Sequence, residues 1–451
     1  MTVASQASFD EAQLRLPETV EASLANGMSV VAAERHALPL VAVRLEIWAG
    51  AAFDPRDRDG LVDFTGQLLR RGTHRRNNEG AVDRTVERVG GVLGIDVDAD
   101  SIGISISLPS EHLDVALDVV ADLARSPLFA AAEVNAAKRR TLASLTTDLD
   151  DPSTIADKAT STVLLGEHPY AHPTGGWSRT VSRFKRAEVV SLYRRLFAPE
   201  RAHLFVVGDV EAARVQTLAK KYFGQWHAWP GEPLPDIPLP QPLSGKRVVI
   251  IDKDDATQTQ LRLATVGLPR GHADYFPTMV AAGVLGGGFT SRLMEEIRVN
   301  RGLSYGASAR LYCYRFGGEL AVSTFTKTET TAEAVQVALD VCRNFAAHGP
   351  SAEELERTAT YLNGLFPLQL ETNEQIARTL ADLRLYQLGD DYVSRFRDRV
   401  RGVDANAART AGANYFPTDR YALVAVGKAK AIKKELSAFG PVEVVPLARW
   451  E

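Results

Sequence analysis

Residues 204 to 208, Leu204-Phe205-Val206-Val207-Gly208, return in kind as Leu423-Val424-Ala425-Val426-Gly427, 219 residues later. Both runs read as strands, and both follow a proline-to-arginine turn, Pro199 to Arg201 and Pro417 to Arg420. The same spacing reappears upstream: Gly27 precedes the apolar run Val30 to Ala33, and Gly245 precedes Val248 to Ile251, 218 residues on. Two independent offsets that agree within one residue indicate an internal duplication.

The elements between those ends also match. Ile102, Ile104, Ile106 and Leu108 alternate with Gly103, Ser105 and Ser107, a period of two that predicts a strand with one buried face. Leu113, Ala116, Leu117, Val120, Leu123 and Ala124 then fall on one face of a helix over residues 111 to 125. The second half repeats this with a strand around Leu320 to Phe325 and a helix carrying Ala334, Val337, Ala338, Val341, Cys342 and Phe345. Each half is thus a mixed helix and strand layer. The alternation leaves a doubly wound parallel sheet open, although no glycine fingerprint follows an early strand. Between Pro230 and Pro242 six prolines fall within thirteen residues, a density that keeps the chain extended and predicts a semi-rigid linker. The expected division is a first domain over 1–229, a linker over 230–246 and a second domain over 247–451.

At 451 residues, with 45% apolar and 24% charged residues, the chain is of ordinary globular composition and long enough for two cores. A formal net charge of -4 gives no steering toward nucleic acid. The basic cluster Arg70, Arg71, His74, Arg75 and Arg76 is the local exception and reads as a solvated loop. Cys313 and Cys342 lack metal-ligand spacing and cannot make a disulfide framework; Cys342 reads as core. Met1 to Leu16 shows no apolar signal region and no apolar run reaches membrane-spanning length, so a cytoplasmic protein with no membrane span is expected.

Two stretches carry chemistry. Residues 60 to 73 read Gly-Leu-Val-Asp-Phe-Thr-Gly-Gln-Leu-Leu-Arg-Arg-Gly-Thr. In the second half, Gly286-Gly287-Gly288-Phe289-Thr290-Ser291-Arg292-Leu293 leads into a helix with Leu293, Met294 and Ile297 apolar. Ser291 or Thr290 can cap that helix and Gly302 suits the left-handed residue that ends it, with Arg298 in the last turn and Tyr305 at the entry to a strand. From the residues alone, Arg298 could simply complement the helix C-terminus or pair with Glu295, and Tyr305 could be an ordinary strand aromatic.

These stretches resemble the M16 zinc peptidases, the clan of pitrilysin and the mitochondrial processing peptidase, and the likeness runs from about residue 20 to 440. In that family the frame Gly-Leu-x-x-Phe, ending in Gly-Thr, carries an inverted His-x-x-Glu-His motif. Here the five motif positions are Asp63, Phe64, Thr65, Gly66 and Gln67. An amide is a poor zinc ligand, glycine offers no base, and the family's third ligand, a Glu, falls near Ala143 and Ser144. The resemblance therefore implies an α+β fold of two homologous LuxS/processing-peptidase-like domains, each a mostly antiparallel sheet with packed helices, together forming half of a clamshell. It implies the non-zinc-binding, alpha-type subunit of the M16B kind, inactive alone, with zinc and the general base in a homologous partner subunit and an extended peptide as substrate. Arg298 would hold a substrate carbonyl, and Tyr305 would donate to the scissile carbonyl as it becomes an oxyanion. Two other readings go with the same fold: an assembly subunit resembling the core proteins of the respiratory bc1 complex, and a stand-alone peptide-binding protein.

Rival motifs have weaker context. Gly302-Leu303-Ser304-Tyr305-Gly306 matches a nucleophile elbow, but the helix comes before the serine and the strand after it, the reverse of what an elbow needs. His168 and His172 lie in a proline-broken loop and read as a satisfied turn. Gly286 to Gly288 lack the Lys-Ser or Lys-Thr of a phosphate loop.

Overall fold

The computed structural model describes residues 14–78, 80–231 and 233–450. The leader reading of Met1 to Leu16 lies, up to residue 13, outside the described residues.

The first half contains β1 (Thr19–Ser23), β2 (Ser29–Glu34), β3 (Leu40–Ile47), β4 (Val92–Val97), β5 (Ile102–Pro109) and β6 (Ala202–Gly208), paired in the order β1-β2-β6-β3-β5-β4. The second contains β7 (Lys246–Asp252), β8 (Gln258–Val266), β9 (Ala307–Cys313), β10 (Gly318–Lys327), β11 (Tyr421–Gly427) and β12 (Val442–Pro446), in the order β12-β7-β11-β8-β10-β9. Five strands correspond one to one, including a parallel central pair, with Val30 opposite Leu204 in the first sheet and Val248 opposite Leu423 in the second. The sixth, edge strand differs: β1 comes from the start of the chain and runs antiparallel to β2, whereas β12 comes from its end and runs parallel to β7. Most pairings are antiparallel, which removes the doubly wound parallel sheet as an alternative.

Each sheet buries one face against helices of its own half. All six apolar positions expected on the 111 to 125 helix are fully buried in the Leu113–Arg125 helix, and the second half's Thr331–His348 helix buries Ala334, Val337, Ala338, Val341, Cys342 and Phe345. The opposite face of β5 was expected to meet solvent, yet Ser105 is buried too, because it lies across the ladder from the buried Arg44.

That second face is covered by a helix from the other half. Ile376, Ala377, Leu380 and Ala381 of the Asn373–Leu385 helix pack on Val31, Ala33, Phe205 and Val207 of the first sheet. In return, Ile155, Ala156, Ala159 and Val163 of the Pro152–Leu165 helix pack on Val249, Ile251, Ala264, Ala321 and Val424 of the second. Local sequence explains where both helices start. Asp151 accepts from the Ser153 amide at 2.9 Å with Pro152 in the first turn, and Thr372 and Gln375 form a reciprocal capping box. Polar ties seat them: Arg262 donates to Asp157 at 2.6 Å, Ser161 to Glu319 at 3.0 Å, and Arg35 to Asn373 at 2.9 Å.

Between Phe223 and Lys246 there is no helix or strand among the described residues, but the segment is anchored. Ile237 enters the first core, His168 meets the Pro238 carbonyl at 2.8 Å, and a Cβ on Gly317 would lie 2.6 Å from Pro240. Leu14 and Leu16 cross to pack against the second core, so packing does not respect the linear order of the chain.

Candidate functional site

The 60 to 73 stretch folds as a helix, Leu61–Leu69. Gly60 takes a left-handed φ of 90° where the chain passes Gly176 closely, and the Asp54 carboxylate accepts from the amides of Gly60 and Val62 at 2.6 and 2.7 Å. Burial holds the Asp54 carboxyl well above the usual range, against the pull of those two amides. Phe64 points inward and meets Phe184 at 5.3 Å between ring centroids, which leaves Asp63 and Gln67 toward the outside.

There the helix closes on itself. The Gln67 amide donates to Asp63 Oδ2 at 2.7 Å, and Thr141, on the neighbouring Ala131–Asp148 helix, donates to Gln67 Oε1 at 3.4 Å. Burial pushes the Asp63 carboxyl up to about 6, and the hydrogen bond from Gln67 only partly opposes it. Ala143 and Ser144 are exposed on that second helix and offer a methyl and a hydroxyl. A Cβ on Gly66 would lie 2.6 Å from Val97 Cγ2, so a longer side chain there has to displace Val97. These groups do not fit zinc: one carboxylate already bound to an amide, an amide and a hydroxyl make no catalytic ligand set. Among the described residues no group of three or more His, Cys, Asp or Glu is placed to hold a metal ion.

In the second half, the Tyr275–Gly286 helix runs into the glycine segment. Gly286 is needed for close approach, since a Cβ there would sit 2.1 Å from the Ala309 amide of β9. The segment that follows departs from the expected α-helix: residues Met294–Asn300 form a π-helix, and just beyond its end Leu303 N–H donates to Ile297 O at 2.9 Å. Gly302, at φ 62°, does take the left-handed conformation. Ser291 and Thr290 do not cap; Ser291 Oγ is buried without a hydrogen-bond partner. Arg292 is held by Glu354 at 2.6 Å and by the Gly349 carbonyl at 2.8 Å, which draws the Glu354 carboxyl down to about 2.

Arg298 behaves differently. It is exposed, makes no ion pair with Glu295 within 4.0 Å, and places its guanidinium 5.3 Å from the Phe289 ring centroid. Tyr305 is 82% exposed, Phe289 78% and Val299 70%, so a guanidinium and two aromatic rings project from this end of the second half. No hydrogen bond, ion pair or ring contact among the described residues joins Asp63 or Gln67 to Arg298 or Tyr305. Nothing in the sequence pattern assigns Phe289 a role beyond the one signal of a bulky apolar residue among glycines. Asp54 and Thr141 had none, because both act through the folded arrangement of separate segments.

The other motifs resolve structurally. Ser304 donates to the Gly306 carbonyl at 3.0 Å at the entry to β9. His168 caps the short turn Pro169–Ala171. The basic cluster is not a merely solvated loop: Arg75 pairs with Asp118 at 2.7 Å, Arg76 with Asp118 and Asp122, and Arg70 with Asp83 at 2.5 Å. No helix among the described residues is long and apolar enough to cross a membrane.

Comparison with known proteins follows the same lines. Residues 29–173 match the family described as Insulinase (Peptidase family M16), and residues 183–362 the one described as Peptidase M16 inactive domain. The chain is 26% identical over 351 residues to an uncharacterized zinc protease of Mycobacterium tuberculosis, covering 77% of this chain and 80% of that one. It is 23% identical over 343 residues to the non-peptidase homolog YmxG of Helicobacter pylori, covering 76% and 78%. Its fold superposes on the crystal structure of a peptidase M16 inactive domain from Pseudomonas fluorescens with a TM-score of 0.84 at 24% identity, over 91% of this chain and 98% of that one. With residues 29–173 and 183–362 both matched and the fold shared, this chain belongs to the M16 peptidase family, its second match being to the domain described as inactive.

Proposed function

We propose that this chain is the zinc-free, substrate-binding subunit of a heteromeric M16-type metallopeptidase whose homologous partner carries the complete zinc motif. The first domain, 1–229, contributes the closed motif helix, and the second, 247–451, contributes Arg298 and Tyr305. The observation that carries this reading is the contrast between the two sites: Asp63 and Gln67 satisfy each other, while Arg298 and Tyr305 stand exposed with only the Phe289 ring engaged. The partner's zinc supplies the activated water. Within this chain, Arg298 holds a backbone carbonyl of an extended peptide, and Tyr305 donates its phenol proton in a hydrogen bond to the scissile carbonyl as negative charge develops there. The peptide lies along a sheet edge and is held by main-chain hydrogen bonds, which makes recognition tolerant of side-chain sequence. The name of the Helicobacter pylori relative supports inactivity of the chain alone.

The test mixes the purified chain with a homologous subunit that bears His-x-x-Glu-His and follows oligopeptide cleavage. Tyr305→Phe is expected to lower kcat by about a hundredfold, the size of one lost oxyanion donor, with little change in KM. Arg298→Ala is expected to raise KM. Undiminished cleavage with both variants refutes the assigned roles, and zinc-dependent hydrolysis by this chain alone refutes the whole reading.

A further inference from the structure

A second site lies elsewhere on the second half, outside the glycine segment. The turn at residues 270–274, the first turn of the Tyr275–Gly286 helix, the segment after the Asn373–Leu385 helix and the Phe396–Arg401 helix line an open cavity of about 520 Å³, within the range of small-molecule sites. Its walls carry Arg270, His272, Tyr275, Phe276, Tyr392 and Arg399, and no aspartate or glutamate lines it. The cavity is therefore aromatic and one-signed in charge.

Arg270 is the decisive residue. Other enclosed arginines of this chain are neutralised: Arg44 by Glu46 and Asp96, Arg76 by Asp118 and Asp122, Arg262 by Asp157, Arg292 by Glu354. Arg270 has no carboxylate within 4.0 Å among the described residues. Its guanidinium stacks 3.8 Å from the Tyr275 ring centroid and 5.0 Å from that of Tyr392, donates to the Tyr392 hydroxyl at 2.5 Å, and leaves Nη1 buried without an acceptor. The buried Asp382 of the Asn373–Leu385 helix acts on it only through longer-range attraction, with no ion pair within 4.0 Å, so a closer counter-ion would be favoured. Arg399 adds a second guanidinium 5.7 Å from the Phe276 and Tyr392 rings, its Nη2 paired with Asp391 at 3.0 Å. At the rim, Gln387 holds a left-handed φ of 54°, a conformation that non-glycine residues keep only where surrounding structure enforces it.

The geometry points to a binding site for a small aromatic carboxylate, its ring against Phe276 and Tyr392 and its carboxylate facing the Arg270 and Arg399 guanidiniums. Stacked guanidiniums present their N–H edges in one plane, which suits a planar carboxylate, and the carbon-rich wall suits a ring better than a hydrated phosphate. The site does not depend on the peptidase reading.

The experiment titrates the full chain with phenylacetate by saturation-transfer NMR and thermal denaturation, with benzyl alcohol and inorganic phosphate in parallel. Phenylacetate is expected to bind and raise Tm, and the other two are not. Arg270→Lys, which keeps the charge and loses the stacked fork, is expected to weaken binding about tenfold or more, as for a lost charge-assisted pair. Arg399→Gln, at the outer edge, is expected to weaken it several-fold and decides the matter if the Arg270 variant fails to fold. Equal binding of benzyl alcohol, a response to phosphate alone, no response to any of the three, or unchanged phenylacetate binding in the Arg399 variant overturns the assignment.

Discussion

Replacing Glu319 with glutamine should stabilise this protein above neutral pH and leave it unchanged in acid. Glu319 sits near the start of β10, 8% exposed, under the Pro152–Leu165 helix, with the Ser161 hydroxyl donating to it at 3.0 Å. Burial lifts its carboxyl from 4.5 to about 7; Asp157 nearby adds to the rise and the Ser161 hydrogen bond opposes it. The folded state therefore holds a proton that the unfolded chain releases near pH 4.5. Stability is fully present below that pH and is lost as pH rises through 7, by about 3 kcal/mol for the shift. Glutamine is neutral throughout and still accepts from Ser161, so the hydrogen bond, worth about 1 kcal/mol, is largely kept. For 451 residues the melting entropy converts about 3 kcal/mol into about 3 °C. Calorimetry should show Glu319→Gln melting about 3 °C above the parent at pH 8 and within about half a degree of it at pH 4. An equal shift at both pH values, or a loss at pH 8, would mean that the carboxyl is not strained by burial.

Three further outcomes are expected. Leu380→Ala, on the sheet-facing side of the helix that covers the first sheet, should lower unfolding free energy by about 2–5 kcal/mol in urea titrations, since Leu380 is 3% exposed against fully buried Phe205. Gly286→Ala should destabilise strongly, because its methyl would meet the Ala309 amide, whereas Gly288→Ala, with nothing within 4 Å, should melt like the parent. Asp63→His with Gln67→His should bind zinc only weakly by equilibrium dialysis and cleave no peptide, because Ala143 and Ser144 supply no third ligand and Gly66 no base.

Much of this molecule was legible in its sequence for one reason: local periodicity repeats at a constant offset. The faces of the Leu113–Arg125 and Thr331–His348 helices and the four strand runs that defined the duplication needed only neighbouring residues to be read. The chemistry of Gly66 and Gln67 was equally visible, since what a bare backbone or an amide can offer a metal does not depend on the fold. What neighbouring residues could not disclose was destination. Ile155, Ala156, Ala159 and Val163 form an ordinary apolar stripe, and nothing near them says that it lies on a sheet built from residues beyond 245. The π-helical turn at Met294–Asn300 escaped for a related reason: its wider hydrogen-bond spacing leaves no mark on its side-chain pattern, which is that of any helix. The Asp63 and Gln67 bond lay in plain view as an i, i+4 pair, but only the fold brings Thr141 to it.

The exchanged helices bear on ancestry. They occupy equivalent places, Pro152 and Asn373 being 221 residues apart, close to the strand offset, so each half closes the other in the same way. A solitary half would leave bare a face such as Val31, Ala33, Phe205 and Val207, at a cost of roughly 1.5–3 kcal/mol for each large side chain. A half expressed alone would therefore need a second copy to cover that face, as two identical chains lending each other a helix across a two-fold axis would do. The proline segment keeps the two halves on one chain, so each sheet finds its covering helix without a second molecule.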